Sequence, residues 1–143
     1  MELQMDSIGQ FFRNYERDSN LGDIQSLVSN FANIFMAAGP DGITVVRASD
    51  FALALPKRKE LFVRLGCRST SLESVKEKKL DDRYTLVETE WRMTFASGEQ
   101  SRDHLLVGSA FILHRSEGRL KVVFYLAHQD IMVVLRERGI LPE

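Results

Sequence analysis

Between Tyr84 and Ala127 the sequence alternates in three consecutive runs, as strands with unlike faces do, and this stretch constrains the fold more than any other. In the first run Val87, Thr89, Trp91, Met93 and Phe95 interleave with Glu88, Glu90, Arg92 and Thr94, which gives one apolar face and one charged face. The second run sets Leu105, Val107, Ser109, Phe111 and Leu113 against His104, Leu106, Gly108, Ala110, Ile112 and His114. The third sets Leu120, Val122, Phe124 and Leu126 against Lys121, Val123, Tyr125 and Ala127. Both faces of these two runs are fairly apolar, so both strands are expected to be central and covered on both sides. A two-residue turn at Glu117-Gly118 pairs Ser116 with Arg119, Leu113 with Val122 and Phe111 with Phe124. A three-residue or bulged turn at Ser97-Gly98-Glu99 brings the Trp91 face onto the Phe111 face. A slip of one residue would invert that assignment.

The rest of the chain supplies cover for this meander. A first helix is expected from about Ser7 to Asp18: Ser7 and Gln10 have the spacing of a capping box, and Ile8, Phe11, Phe12 and Tyr15 then share one face. Asp23 caps a second helix with an inner stripe of Ile24, Leu27, Val28 and Phe31. Two short runs, Ile34 to Ala38 and Ile43 to Arg47, flank the turn Gly39-Pro40-Asp41-Gly42 and form a hairpin. A third helix starts at Ser49 or Asp50, carries Pro56, reaches Leu65 and stops at Gly66; Lys57, Arg58, Lys59 and Arg64 make its outer face basic. Thr70 to Lys79 reads as an edge strand whose charges discourage further pairing, and Asp81-Asp82 turns it into the meander. Asp130 caps a last helix bearing Ile131, Val134 and Leu135, stopped by Gly139 and Pro142. The sum is one α+β domain over residues 1–143 with its helices gathered on one face of the sheet.

Composition narrows the function classes. At 143 residues with 44% hydrophobic and 27% charged residues, the chain has the length and apolar content for one core. A net charge of −1 provides no field for polyanions, so neither nucleic acid nor an anionic membrane is an expected partner. No run approaches the roughly 18 apolar residues of a membrane-spanning helix, and Met1 to Met5 lack the pattern of a leader, so a cytoplasmic protein is expected. Cys67 is the single cysteine, which leaves no internal disulfide; it reads as a small, half-buried residue after Gly66.

The order of helix, Asn20-Leu21-Gly22-Asp23 turn, helix, Gly39-Pro40-Asp41-Gly42 hairpin, helix and four-strand sheet resembles the nuclear transport factor 2-like superfamily, in its SnoaL-like or ketosteroid-isomerase-like branch. The resemblance covers nearly the whole chain. It implies a cone, in which a curved, mostly antiparallel sheet of the cystatin-like type wraps around three N-terminal helices and leaves a pocket at its open end. It also implies a homodimer. The superfold hosts many chemistries, so it fixes no reaction. Anchored on Gly22-Asp23, Tyr15 falls where the steroid isomerases keep the tyrosine that bonds the enolate oxygen. Gly39, before Pro40, stands in place of their aspartate base, and Ser109 of Ser109-Ala110-Phe111 in place of their second aspartate. Asp41 lies close to the position of the base but reads as a turn former.

Two functions follow. The first is binding of a small apolar molecule in a pocket lined by Tyr15, Phe31, Phe35, Trp91, Ser109 and Phe124 and closed near His128, without the isomerase aspartates. The second is a small acid-base enzyme of isomerase, cyclase, dehydratase or hydrolase type, acting on an apolar cyclic substrate with His128 as base and Tyr15 as donor. The second reading requires both residues in one cavity. His128 continues the parity of Leu120 to Leu126 and is expected at the mouth of the cone, whereas His104 and His114 fall at strand ends on the opposite face. No set of ligands has metal spacing, so neither metal nor cofactor is expected. Glu88, Glu90 and Arg92 read as a solvated or dimer-facing stripe, and the indole N–H of Trp91 requires a partner.

Overall fold

The structure, a computed structural model, describes residues 7–97 and 101–139. The expectations for Met1 to Met5, for Gly98 and Glu99, and for Pro142 lie outside these residues. Helices α1 (Ile8–Leu21) and α2 (Ile24–Val28) precede strands β1 (Phe31–Gly39) and β2 (Gly42–Arg47). Helix α3 (Ala48–Arg64) leads to β3 (Cys67–Lys79), β4 (Tyr84–Ser97), β5 (Ser101–Ser116) and β6 (Arg119–Ala127), and α4 (Ile131–Glu137) follows. The six strands form one sheet in the order β2-β1-β6-β5-β4-β3, antiparallel throughout except for the parallel pair β1 and β6.

Local chemistry sets the helix ends. The Ser7 hydroxyl accepts from the backbone N–H of Gln10 at 3.1 Å, but the Gln10 side chain turns to Asn14 instead of reaching back, so only half of the expected capping box forms. Helix α1 runs three residues past Asp18, because Gly22 takes up φ 71° and donates to the Asp18 carbonyl. Asp23 caps α2 as expected, through Ser26 N–H. That helix stops at Val28, and Phe31 opens β1 rather than closing the stripe of α2, as its sequence spacing had implied. The backbone there pairs Phe31 with Val122 of β6, a strand pairing that helical spacing could not reveal.

Helix α1 also protects the sheet edge. Its Asn20 carboxamide bonds both backbone groups of Thr70 (2.8 and 2.9 Å), and its Glu16 carboxylate accepts from Leu72 N–H at 2.5 Å. Two polar side chains thus take the place of a seventh strand beside part of β3.

Bulges curve the sheet. In β3 the register against β4 shifts between Cys67 and Ser69 and again between Leu72 and Ser74, so Leu72 and Val75, which strict alternation would separate, both pack on the inner core. In β6 the register against β5 shifts once: Leu113 still faces Val122, but Ile112 faces Phe124 and Phe111 faces Tyr125. Val123 is the extra residue. The expected pairing of Phe111 with Phe124 is therefore corrected by one position, and every residue of β6 after Val123 changes face. The β4 and β5 ladder has no such interruption, and Trp91 shares a face with Val107 and Phe111 as expected.

The core lies between the concave face of the sheet and α1. Phe11, Phe12, Phe31, Phe35, Trp91 and Phe111 are buried there with Val87, Leu113 and Val122. Each such side chain contributes about 1.5–3 kcal/mol by leaving water. A second cluster of Met93, Phe95 and Leu105 is closed by Leu135 of α4, whose cap Asp130 accepts from Met132 and Val133 N–H. Among the described residues no helix is long and apolar enough to cross a membrane.

Candidate functional site

Between α3, the β1–β2 hairpin and the concave sheet lies a cavity of about 960 Å³, near the upper end of the roughly 300–1,000 Å³ typical of small-molecule sites. Its inner wall is aromatic: Tyr15 from α1, Phe31 and Phe35 from β1, Phe51 from α3, Trp91 from β4, Phe111 from β5 and Tyr125 from β6. The Tyr15 ring lies 5.5–6.0 Å, centroid to centroid, from those of Phe31, Trp91 and Phe111. The Phe111 ring meets Tyr125 at 5.1 Å. These separations are those of packed aromatic pairs, so the wall is built before any ligand arrives.

One polar track crosses this wall. The indole N–H of Trp91 donates to Thr89 Oγ1 at 2.8 Å, which supplies the partner the sequence required, and Thr89 Oγ1 lies 3.0 Å from Ser109 Oγ and 3.1 Å from the Ser109 carbonyl. Thr89 and Ser109 are both buried, so each hydroxyl is satisfied by the other. Burial raises the Tyr125 pKa, opposed by the Arg58 charge and, less strongly, by the Ser109 hydroxyl beside the phenol. Burial raises the Tyr15 pKa further, helped by the neighbouring Tyr125 and opposed by the Arg58 charge. Both phenols therefore stay protonated at neutral pH and keep an O–H to donate.

The structure brings five of the seven expected lining residues to this cavity: Tyr15, Phe31, Phe35, Trp91 and Ser109. The other two are corrections with one cause. The bulge at Val123 turns Phe124 to the outer face and puts Tyr125, which sequence parity had assigned outward, against Phe111 inside. The same inversion carries His128 to the outer face. There its Nε2 lies 3.0 Å from a Glu88 carboxylate oxygen, and its ring lies against Gly108, where a Cβ would come within 3.3 Å of it. His128 and Tyr15 do not open onto a common cavity, so the pairing of the two as base and donor fails. Tyr125, Phe51 and Phe111 were missed as lining residues; for Tyr125 the only signal was a phenol next to Phe124 near the strand end.

The remaining candidates are placed as follows. Asp41 sits exposed in the β1–β2 turn at the cavity mouth, beside Gly39 and Pro40. His104 contacts Thr94 and His114 stacks on Tyr84, both away from the cavity. Cys67 lines the cavity, and burial raises its thiol pKa above the ordinary value. Among the described residues no three His, Cys, Asp or Glu side chains are grouped to hold a metal ion.

No family model and no curated protein matches the sequence. Solved structures do match its fold. An NTF-2-like protein of unknown function from Shewanella oneidensis is 14% identical with a TM-score of 0.68, over 85% of this chain and 96% of its own. A cystatin-like-fold protein of unknown function from Nostoc punctiforme is 12% identical with a TM-score of 0.69, over 90% and 96% respectively. A candidate scytalone dehydratase from Novosphingobium aromaticivorans is 11% identical with a TM-score of 0.65, over 84% and 79%. At such identities the likeness lies in the path of the backbone, and by that path this chain has the NTF2-like, cystatin-like fold.

Proposed function

We propose that this protein binds a small, largely apolar organic molecule in the cone cavity and does so without the aspartates of the steroid isomerases. The observation that carries this reading is the preformed aromatic wall around about 960 Å³ of space. An apolar ligand entering it leaves water without having to organise the site. A dehydratase or isomerase reading, which the scytalone dehydratase candidate among the structural neighbours brings to mind, needs a general base in the cavity, and among the described lining residues none is a histidine. Among the described lining residues the carboxylates are Asp41 and Asp130. The first is exposed in a turn and the second is committed to capping α4. Binding is thus the better supported function.

Trp91 makes the reading testable, because it is the single tryptophan and lies in the wall. Titration with naphthalene- or steroid-sized compounds is expected to change its fluorescence saturably, and the Ala37→Leu variant, which fills the cavity, is expected to weaken the change. A library that leaves Trp91 emission and thermal stability unmoved would refute the reading. We further propose that two copies pair through the outer sheet face, where Leu106 is exposed and the bulge places Phe124 and Leu126. Sedimentation showing a monomer at micromolar concentration would exclude that pairing.

A further inference from the structure

The basic run of α3 has no role in the fold described so far. Lys57, Arg58 and Lys59 all line the cavity, and Arg68 at the start of β3 joins them. Lys59 is engaged, since its ammonium caps the carbonyls of Ser19 and Asn20 at 3.1 and 3.3 Å and so serves the end of α1. Among the described residues Lys57, Arg58 and Arg68 have no carboxylate within ion-pair distance, while Arg64, on the same helix but away from the cavity, pairs with Glu60 at 3.8 Å. Arg58 is also held in place: its guanidinium lies over the Phe62 ring, 5.0 Å from the centroid, and Phe62 is itself part of the lining. A guanidinium stacked on an aromatic face loses less freedom when it takes up an anion. Among the described residues the mouth thus carries three cations without carboxylate partners, Lys57, Arg58 and Arg68, against one carboxylate without an ion-pair partner, Asp41.

Behind this mouth the cavity offers donors. Among the described residues the Tyr15 hydroxyl has no hydrogen-bond partner, and Tyr15 lines the same cavity as Tyr125 and Ser109, with the Phe111 ring in contact with both tyrosines. Arg58 lines the same cavity as both phenols, and its positive charge opposes the rise of both phenol pKa values. Two protonated phenols and a guanidinium are complementary to an oxygen anion and indifferent to a hydrocarbon.

We propose that the ligand of this cavity is an amphipathic organic anion, with an apolar ring-sized body against the aromatic wall and a carboxylate or sulfonate turned to Arg58 and the hydroxyls of Tyr15 and Tyr125. This rests on the ligand-binding reading above and adds charge selectivity to it. Arg58 is the selecting residue, Tyr15 and Tyr125 orient the head group, and Lys57 and Arg68 attract it to the mouth.

The test uses two probes with one body: 8-anilinonaphthalene-1-sulfonate and its neutral parent N-phenyl-1-naphthylamine, each titrated into the full chain and followed by loss of Trp91 emission. The sulfonate is expected to bind more tightly. Arg58→Ala is expected to weaken it roughly ten- to a hundredfold, the range of hydrogen bonds to charged groups, while leaving the neutral probe within about twofold by the same measure. Arg58→Lys is expected to recover part of the loss, and Arg64→Ala to leave both probes unchanged. If both probes bind equally and Arg58→Ala weakens neither, the head-group proposal is overturned while the binding reading stands. If Arg64→Ala weakens the sulfonate as much as Arg58→Ala does, the effect is general surface charge and the proposal falls. If neither probe touches Trp91 emission, the binding reading fails and takes the proposal with it.

Discussion

Gly66, between α3 and β3, joins the cationic wall of the cavity to its sheet wall, and replacing it with alanine tests how tightly that joint is made. Gly66 has φ 91°, and a Cβ built on it would stand 2.6 Å from the Ala96 carbonyl oxygen. That obstacle is backbone, so no rotamer change relieves it. The glycine also accepts the Ala96 N–H at 2.9 Å, a bond that any retreat of the two segments would stretch. Forcing a side chain into this region of φ costs about 1–3 kcal/mol. The smaller conformational freedom of alanine in the unfolded chain returns about 0.4–1 kcal/mol, and the strained hydrogen bond adds about 1 kcal/mol. The net loss is expected to be about 1–3.5 kcal/mol, or about 3–12 °C in Tm for a chain of this size. Urea unfolding followed by Trp91 emission measures it. Gly139→Ala is the control, because Gly139 has a similar φ of 74° but nothing within 4 Å of its would-be Cβ; only the conformational part applies there, and about 1 kcal/mol is expected. Equal losses in the two variants, or a loss below about 0.5 kcal/mol at Gly66, would refute the steric part of the reasoning.

Two further outcomes follow from placements made above. His128→Ala is expected to leave probe binding unchanged and to alter stability by less than about 1 kcal/mol, as for exposed ion pairs; a more than threefold change in affinity would show that the ring reaches the cavity. The Asp81 carboxylate accepts backbone N–H groups from Arg83 and Tyr84, and these bonds hold its pKa below the ordinary 3.8. Its contribution to stability is therefore present above pH 3.8 and lost as the pH falls through the lower folded value; acid unfolding of Asp81→Asn is expected to be less steep than that of the parent in this range, and identical profiles would exclude the linkage.

Much of the sheet was legible in the residues because a strand with one polar face advertises its parity. Glu88, Glu90 and Arg92 could only face water, so the opposite faces of Val87 to Phe95 followed, and the ladder to β5 kept them. Turn and cap chemistry was equally local: Glu117-Gly118, Gly39 to Gly42, Asp23 and Asp130 act through their own backbone neighbours. Phe31 was misassigned because its apolar spacing suits a helix, and only the parallel pairing with β6, some ninety residues away, makes it a strand residue.

The cavity mattered most and was least local. Helical spacing placed Tyr15, and strand parity placed Trp91 and Ser109, on the surfaces that meet there. In Val122-Val123-Phe124-Tyr125 every residue can be buried, so hydrophobicity cannot say which of them steps out of the ladder. The pairing with β5 decides it, and by making Val123 the extra residue it moves Phe124 and His128 outside and Tyr125 in. The sequence by itself determined which segments are strands and helices and that the sheet carries an aromatic face, because those properties are written in residue periodicity. The tertiary structure decided which phenol, cation and hydroxyl share one space, because a one-residue bulge reverses faces without leaving a mark on the composition of the strand.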